Sequence, residues 1–306
     1  MFLQVNNLSK KYDEKLVLEN ITFQQKEGEI ISLIGTSGIG KSTLLKCLSG
    51  LTNINSGSVV LNGDKIHKQE ASFRKIAYVF QESPLFPHIN VIDNILFNLS
   101  EYDQEKLNHL LEKTEVKALV KRFPYELSGG ENQRVAIVRS LIRNPDLLLL
   151  DEPFSNLDTV NKRYVKEIVF EIIKESNLTT IIVNHDIEES LEISDRIMII
   201  NNGIIESIDS PENIYKSPKN LSTAELFGDV TSISVDNQKK HIRPENIKIV
   251  KKSAYSVEIK NSHYLGEKYR VSAKLGNDII SLYHNTELKK GESLYIDFNK
   301  DDVLNF

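Results

Sequence analysis

The chain has 306 residues, 40% hydrophobic and 26% charged, the profile of a globular protein long enough for one large and one small domain. A net charge of −5 advertises no basic stripe for a nucleic-acid partner, and the single cysteine, Cys47, excludes an internal disulfide and fits a reducing compartment. No apolar run reaches the roughly 18 residues that span a bilayer, and Met1 to Tyr12 lacks the basic and apolar regions of a signal peptide, so the chain is expected inside the cell with any membrane crossing left to a partner.

In chain order, Leu3 to Val5, Ile21 to Gln24 and Ile30 to Ile34 read as strands. A glycine loop and a helix over Lys41 to Leu51 follow, with Cys47 as a small core residue on that helix. Ser56 to Gly63 is turn-rich, and its Asn62-Gly63 pair predicts a tight hairpin turn. Ile76 to Phe80 is a strand candidate, and Val91 to Arg143 turns helical. The apolar runs Leu147 to Leu150 and Thr180 to Val183 read as buried parallel strands separated by an amphipathic helix, Lys162 to Glu175. Asp195 to Ile200 and Gly203 to Ser207 look like a hairpin. This pattern predicts an α/β core with a helical insertion, about residues 83–145. Past Phe227 to Lys240 short alternating segments broken by Gly266, Gly276-Asn277 and Gly291 predict a small all-β domain.

Three motifs carry chemistry. Gly35 to Ser42, G-T-S-G-I-G-K-S, fits the phosphate loop, whose backbone N–H groups converge on phosphates at a helix N-terminus. Gly35, Thr36, Ser37, Gly38, Ile39 and Gly40 supply that cradle; Lys41 reaches the β and γ phosphates, Ser42 holds Mg²⁺, and Thr43 adds a phosphate contact. In Leu147 to Pro153, L-L-L-L-D-E-P, a buried strand ends in two acids: Asp151 organises Mg²⁺ and Glu152 polarises the attacking water as general base. Leu127 to Glu131, L-S-G-G-E, is a capping box with Ser128 as N-cap, and its Gly-Gly first turn leaves bare N–H groups for a phosphate.

Taken together, the three motifs resemble the ATP-binding cassette (ABC) family over about residues 1–228. The resemblance implies a phosphate-loop NTPase cassette with a helical subdomain, binding ATP and Mg²⁺. It implies that Ser128, Gly129 and Gly130 of one copy meet the γ-phosphate held by a second copy. Gln81, in V-F-Q-E, matches a glutamine loop that senses Mg²⁺ and a transmembrane partner. His185, in V-N-H-D, matches a switch histidine; Asp158, in S-N-L-D, an interfacial aspartate; Tyr12, an aromatic stacked on adenine. Glu131 stands where the family often has Gln, and the capping box turns its side chain back to the Ser128 N–H. Asn184 replaces a common Thr.

Phe80 to Asn94, with L-F-P-H-x-x-V-x-x-N, is similar to importer ATPases that serve periplasmic binding proteins, and His241 to Ile249 resembles the start of their TOBE domain, here residues 229–306 and OB-like. The resemblance implies permease partners, a solute-binding protein in the same system, and residence on the cytoplasmic face of the cell membrane. The glutamine loop and short tail lean toward ferric iron, with polyamine, sulfate and molybdate as alternatives. The seven histidines show no metal-ligand spacing, so the iron lean rests on resemblance alone. A soluble, non-transport ABC ATPase and an oxyanion-binding C-terminal module are the competing readings.

Overall fold

The computed structural model describes residues 1–82, 84–155, 157, 159–235 and 238–306. They form two compact units, Met1–Pro211 and Glu212–Phe306. No helix among the described residues is long and apolar enough to cross a membrane.

The first unit opens with β1 (Leu3–Tyr12), β2 (Lys15–Gln25), β3 (Ile30–Ile34), α1 (Lys41–Ser49), β4 (Ser56–Leu61), β5 (Asp64–Lys65) and β6 (Ile76–Val79). It continues with α2 (Val91–Ile95), α3 (Gln104–Lys113), α4 (Gly129–Leu141), β7 (Leu147–Asp151), α5 (Thr159–Glu175), β8 (Thr179–Val183), α6 (Ile187–Ile193), β9 (Arg196–Asn201) and β10 (Ile204–Asp209). Strands β1, β2, β4 and β5 make an antiparallel sheet in the order β2-β1-β4-β5. The second sheet runs β10-β9-β3-β8-β7-β6; all its pairs are parallel except the β10 edge.

Strands buried on both faces explain the apolar runs of the sequence. Along β7, Leu147 and Leu149 enter the core shared with β1, β2 and α1, while Leu148 and Leu150 enter the core shared with α2 to α5. Strand β8 splits the same way, with Ile181 and Val183 on one side and Ile182 on the other. Cys47 lies in the first of these cores, and burial pushes its thiol up to about 11. That suits the core role read from the sequence.

The helical reading of Val91 to Arg143 divides into separate helices, each started by a side-chain cap. Asn90 caps α2, Asp103 caps α3 and Ser128 caps α4. Asn94, from the L-F-P-H stretch, is fully buried and staples the preceding loop. Its amide accepts from Phe86 N at 2.8 Å and donates to the carbonyls of Phe86 and Ile89 at 3.0 and 3.1 Å. The hairpin turn at Asn62-Gly63 has φ of 49° and 88°, the left-handed pair that a two-residue turn requires. Strands β1 and β2 extend well beyond the segments read from sequence.

The second unit opens with two short helices, α7 (Pro211–Lys216) and α8 (Leu221–Leu226). Then come β11 (Thr231–Val235), β12 (Gln238–Ile242), β13 (Lys248–Val250), β14 (Tyr255–Tyr264), β15 (Tyr269–Leu275), β16 (Asp278–His284), β17 (Ser293–Asp297) and β18 (Val303–Leu304). They form antiparallel sheets ordered β11-β12-β18 and β13-β17-β14-β15-β16. Alternating residues such as Val257, Ile259, Val271, Ala273, Ile280 and Leu282 fill its core. Arg243, from the R-P-E segment, is 2% exposed and donates to the carbonyls of Ala224 and Gly228 at 2.8 and 2.9 Å. Those bonds tie the segment around α8 to the β-rich part of this unit.

Candidate active site at the carboxyl ends of the parallel strands

Four adjacent strands, β3, β8, β7 and β6, run parallel and end side by side. Their carboxyl ends carry Gly35 to Ser42, Asn184-His185, Asp151-Glu152 and Gln81 in turn. In an open parallel sheet this edge is where ligands bind. Residues separated by up to 150 positions thereby converge, because neighbouring strands are only about 5 Å apart.

The phosphate loop wraps the start of α1. The Cβ of any residue replacing Gly35 would meet the carbonyl oxygen of Ile200 at 2.5 Å, so the chain passes too close to β9 for a side chain. Gly40 has φ of 113° and no side chain caps α1, which leaves the first N–H groups of that helix for an anion. Lys41 is buried and donates to the carbonyls of Gly35 and Thr36 at 2.7 and 3.1 Å. Burial lowers its pKa, while the nearby Glu152 and Asp151 carboxylates pull the other way. Ser37, Gly38, Gly40, Lys41, Ser42, Thr43 and Glu152 line a pocket of about 160 Å³.

Asp151 and Glu152 diverge at the end of β7. Asp151 turns inward: Oδ1 accepts from Ser42 Oγ at 2.9 Å and Oδ2 accepts from the Tyr78 hydroxyl at 2.7 Å. Glu152 has φ of 50°, a left-handed backbone that a glutamate seldom adopts. That turn points its carboxylate into the pocket of Lys41, and Oε1 lies 2.5 Å from His185 Nε2. Gln81 joins through a relay: its amide donates to Ser155 Oγ at 3.2 Å, and Ser155 Oγ donates to the Glu152 carbonyl at 3.0 Å. Asn184 is buried with its amide 3.5 Å from Ser32 Oγ.

The donor set fits the groups the sequence implies. Phosphates need uncapped helix N–H groups and an ammonium, and both are present. A magnesium ion takes hard oxygen ligands, and the Ser42 hydroxyl and Asp151 carboxylate already meet at hydrogen-bond distance. An acid and an imidazole face the same pocket, which suits proton transfer from water.

Ser128, Gly129 and Gly130 lie apart from that pocket; none of them lines it. Ser128 Oγ accepts from Glu131 N at 3.3 Å, and Glu131 Oε2 accepts from Ser128 N at 2.7 Å. The Glu131 carboxylate therefore folds back on the helix start, as the capping box predicts. Gly129 instead borders a groove of about 410 Å³ with Gln81, Leu85, Pro124 and Gln133. Tyr12 ends β1, 44% exposed, with the Lys10 ammonium 4.7 Å from its ring centroid. The strand that follows it passes Val17 and Leu18 along Gly40. Asp158 lies outside the described residues.

Sequence reasoning missed Tyr78 and Ser155. Burial and its bond to Asp151 push the Tyr78 phenol far above its usual range. No local sequence signal marks Tyr78: only the register of β6 on β7, which pairs it with Leu149 two residues before Asp151, brings it to that acid.

Comparisons with known proteins agree with the geometry. A family model described as ABC transporter matches residues 18–155. The sulfate/thiosulfate import ATP-binding protein CysA of Pseudomonas syringae pv. tomato is 34% identical over 318 residues, covering 96% of this chain and 97% of its own length. The spermidine/putrescine import ATP-binding protein PotA of Spiroplasma citri is 32% identical over 336 residues, 98% of this chain and 96% of its own. The Fe(3+) ions import ATP-binding protein FbpC of Haemophilus influenzae is 39% identical over 237 residues, 74% of this chain and 68% of its own. Among solved structures, cbiO1 of Clostridium perfringens, part of the ABC transporter complex cbiONQ, aligns with a TM-score of 0.63 at 28% identity over 70% of this chain and 90% of its own. A dimeric ATP-binding cassette in a post-hydrolysis state with ADP and Pi aligns at 0.61, also 28% identical, over 68% of this chain and 98% of its own. Matched to the ABC transporter model over residues 18–155 and to the CysA relative at 34% identity over 97% of its length, the chain belongs to the ATP-binding proteins of ABC transporters and is an ATPase.

Proposed function

We propose that this chain energises a membrane importer, with two copies closing on two ATP molecules at the cytoplasmic face beneath permease subunits. The carrying observation is a mismatch. Lys41, Ser42 and Glu152 line one pocket and hydrogen bonds tie Asp151 to Ser42 and His185 to Glu152, whereas none of Ser128 to Gly130 lines that pocket. The Ser128 cap takes only the Glu131 N–H, so the Gly129-Gly130 turn at the start of α4 keeps backbone N–H groups for a phosphate, and another copy has to supply that phosphate. The dimeric relative bound to ADP and Pi supports the pairing.

In this reading Ser42, Asp151 and Gln81 hold Mg²⁺, which when bound neutralises charge on the phosphate oxygens. Lys41 and the backbone N–H groups from Gly35 to Thr43 orient the β and γ phosphates. Glu152 accepts a proton from the attacking water, and His185 steadies Glu152 and meets the γ-phosphate. Tyr12 stacks on adenine, and Asp158 lies at the subunit interface. The groove beside Gln81 and the helices α2 to α4 take the permease contact.

In this reading residues 229–306, the β-rich part of the second unit, are a TOBE-type domain, and the cassette ends near Gly228. The names of the relatives support import of a small solute, and the L-F-P-H stretch supports its delivery by a binding protein. Ferric iron is the favoured cargo on the glutamine loop, and the FbpC relative has the highest identity of the three; the relatives covering the whole chain carry sulfate and polyamines. Uptake of labelled Fe³⁺, sulfate and spermidine in cells with and without this chain separates the cargoes, and sulfate uptake alone would overturn the iron preference.

The test of the central reading is Glu152→Gln. It should lower ATP turnover between about 100- and 10,000-fold and leave an ATP-bound dimer on gel filtration. Turnover at the wild-type rate would remove Glu152 from the chemistry.

A further inference from the structure

Behind the Glu152–His185 contact lies a cation that the phosphate chemistry does not use. Lys162 sits in the first turns of α5, and its Nζ lies 3.2 Å from Asp186 Oδ2 and 3.4 Å from Glu189 Oε2. Asp186 directly follows His185. Its other oxygen caps α6 by accepting from Glu189 N at 3.2 Å, and its carbonyl accepts from Ser190 Oγ at 2.9 Å. Lys162, Asp186, Glu189, His185 and Glu152 all line one small cavity of about 50 Å³.

We propose that Lys162 is a positioning residue for His185: clamped on Asp186 and Glu189, its ammonium holds the loop that presents the imidazole to Glu152. This rests on the reading of Glu152 and His185 given above.

Burial distinguishes this pair from an ordinary surface bridge. The Glu189 side chain is 3% exposed, and burial raises its pKa although Lys162 and Lys166 oppose the rise. An acid so enclosed is costly unless a cation stands beside it. Lys162 stands where it serves the enclosed Glu189, and from that position it also reaches Asp186, next to the histidine.

Lys166 provides an internal control. It bridges α5 to Glu192 on α6 at 2.8 Å, but Glu192 is 68% exposed and lies a full turn further along. If α5–α6 adhesion were the whole purpose, both lysines would serve it alike.

The experiment measures steady-state ATP hydrolysis by the full chain, with ATP binding followed separately. Lys162→Met should lower kcat between about 10- and 100-fold, the range for a catalytic group displaced by about 1 Å. KM for ATP should change less than about twofold, because the ion pairs of Lys162 are with Asp186 and Glu189 and not with the phosphate loop. Lys162→Arg should restore most of kcat, and Lys166→Met should leave it unchanged.

If Lys162→Met fails to fold, the double variant Lys162→Met/Glu189→Gln removes the buried charge and keeps the lesion at Asp186. It should fold with kcat still low, and wild-type kcat in that variant overturns the proposal. In a His185→Ala background Lys162→Met should cost nothing further; additive losses overturn it as well. A normal rate for Lys162→Met beside inactive Glu152→Gln and His185→Ala defeats the clamp alone. Normal rates for those last two variants defeat the underlying reading instead.

Discussion

The Tyr78 hydroxyl donates to the one Asp151 oxygen that Ser42 leaves free, at 2.7 Å. Tyr78 thereby fixes the carboxylate plane from the β6 side while Ser42 fixes it from α1. A buried carboxylate that loses a donor pays its own desolvation. Tyr78→Phe should lower the unfolding free energy by about 1.5–3 kcal/mol, the range for a hydrogen bond to a charged group. Urea denaturation without nucleotide measures it, and an unchanged midpoint would mean that Asp151 finds another partner.

The reciprocal bonds between Ser128 and Glu131 separate two roles of the Glu131 side chain, acceptor and charge. Hydrogen bonding to the Ser128 N–H, opposed by some burial and helped by Arg122, holds its carboxyl below the usual range. Glu131→Gln keeps an acceptor for Ser128 N and should cost less than about 0.5 kcal/mol, whereas Glu131→Ala should cost about 1 kcal/mol of stability. Thermal melts of the two variants make the comparison; equal losses would show that charge, not the acceptor, holds the helix start.

In the second unit the Arg243 guanidinium bridges several backbone carbonyls. Besides Ala224 and Gly228 it reaches Tyr215 O at 3.3 Å, with its guanidinium 4.3 Å from the Tyr215 ring. Arg243→Met keeps much of the volume but takes the guanidinium from Gly228 O, while Ala224 O keeps the Phe227 N–H at 3.2 Å. The loss should be about 1.5–4 kcal/mol, one acceptor losing its donor at about 1–3 kcal/mol plus the ring contact. A separate, lowered unfolding transition in calorimetry would report it, and a melt identical to wild type would contradict the assignment.

Glu29 and Arg196 pair through both nitrogen–oxygen contacts, at 2.6 and 2.9 Å. Burial alone would raise the Glu29 pKa, but the Arg196 bonds and the Lys26 N–H outweigh it and leave it lowered. A carboxylate depressed on folding contributes stability that is full above its unfolded pKa, about 4.3, and disappears as pH falls through the folded value. Glu29→Gln should therefore flatten the loss of stability below about pH 4.3. Urea midpoints between pH 3 and 6 for both proteins test this, and parallel curves would rule the pair out.

The candidate phosphate-binding segments were legible because such chemistry demands particular residues at fixed spacing beside a buried strand. Gly35 to Ser42 and Asp151-Glu152 satisfy such patterns, and β3 and β7 form where the apolar runs predicted. The caps Asn90 and Asp103 were equally local signals, and they would have divided the 91–143 helical stretch correctly. Tyr78 was invisible for a different reason. An aromatic within I-A-Y-V-F suits any strand, and only the pairing of β6 with β7 brings its hydroxyl to Asp151. The Lys162 clamp and the Arg243 bonds likewise join residues 15 or more positions apart, which no periodicity announces.

The left-handed backbone at Glu152 sets this chain's stability against its chemistry. Most of the other non-glycine residues with positive φ are asparagines, which tolerate that conformation cheaply. A chain selected for folding alone would carry glycine or asparagine at 152. Glu152→Gly should therefore be both sturdier than its parent, by roughly 1 kcal/mol, and inert. Drift toward thermal robustness would tend to erase the motor before it erased the fold.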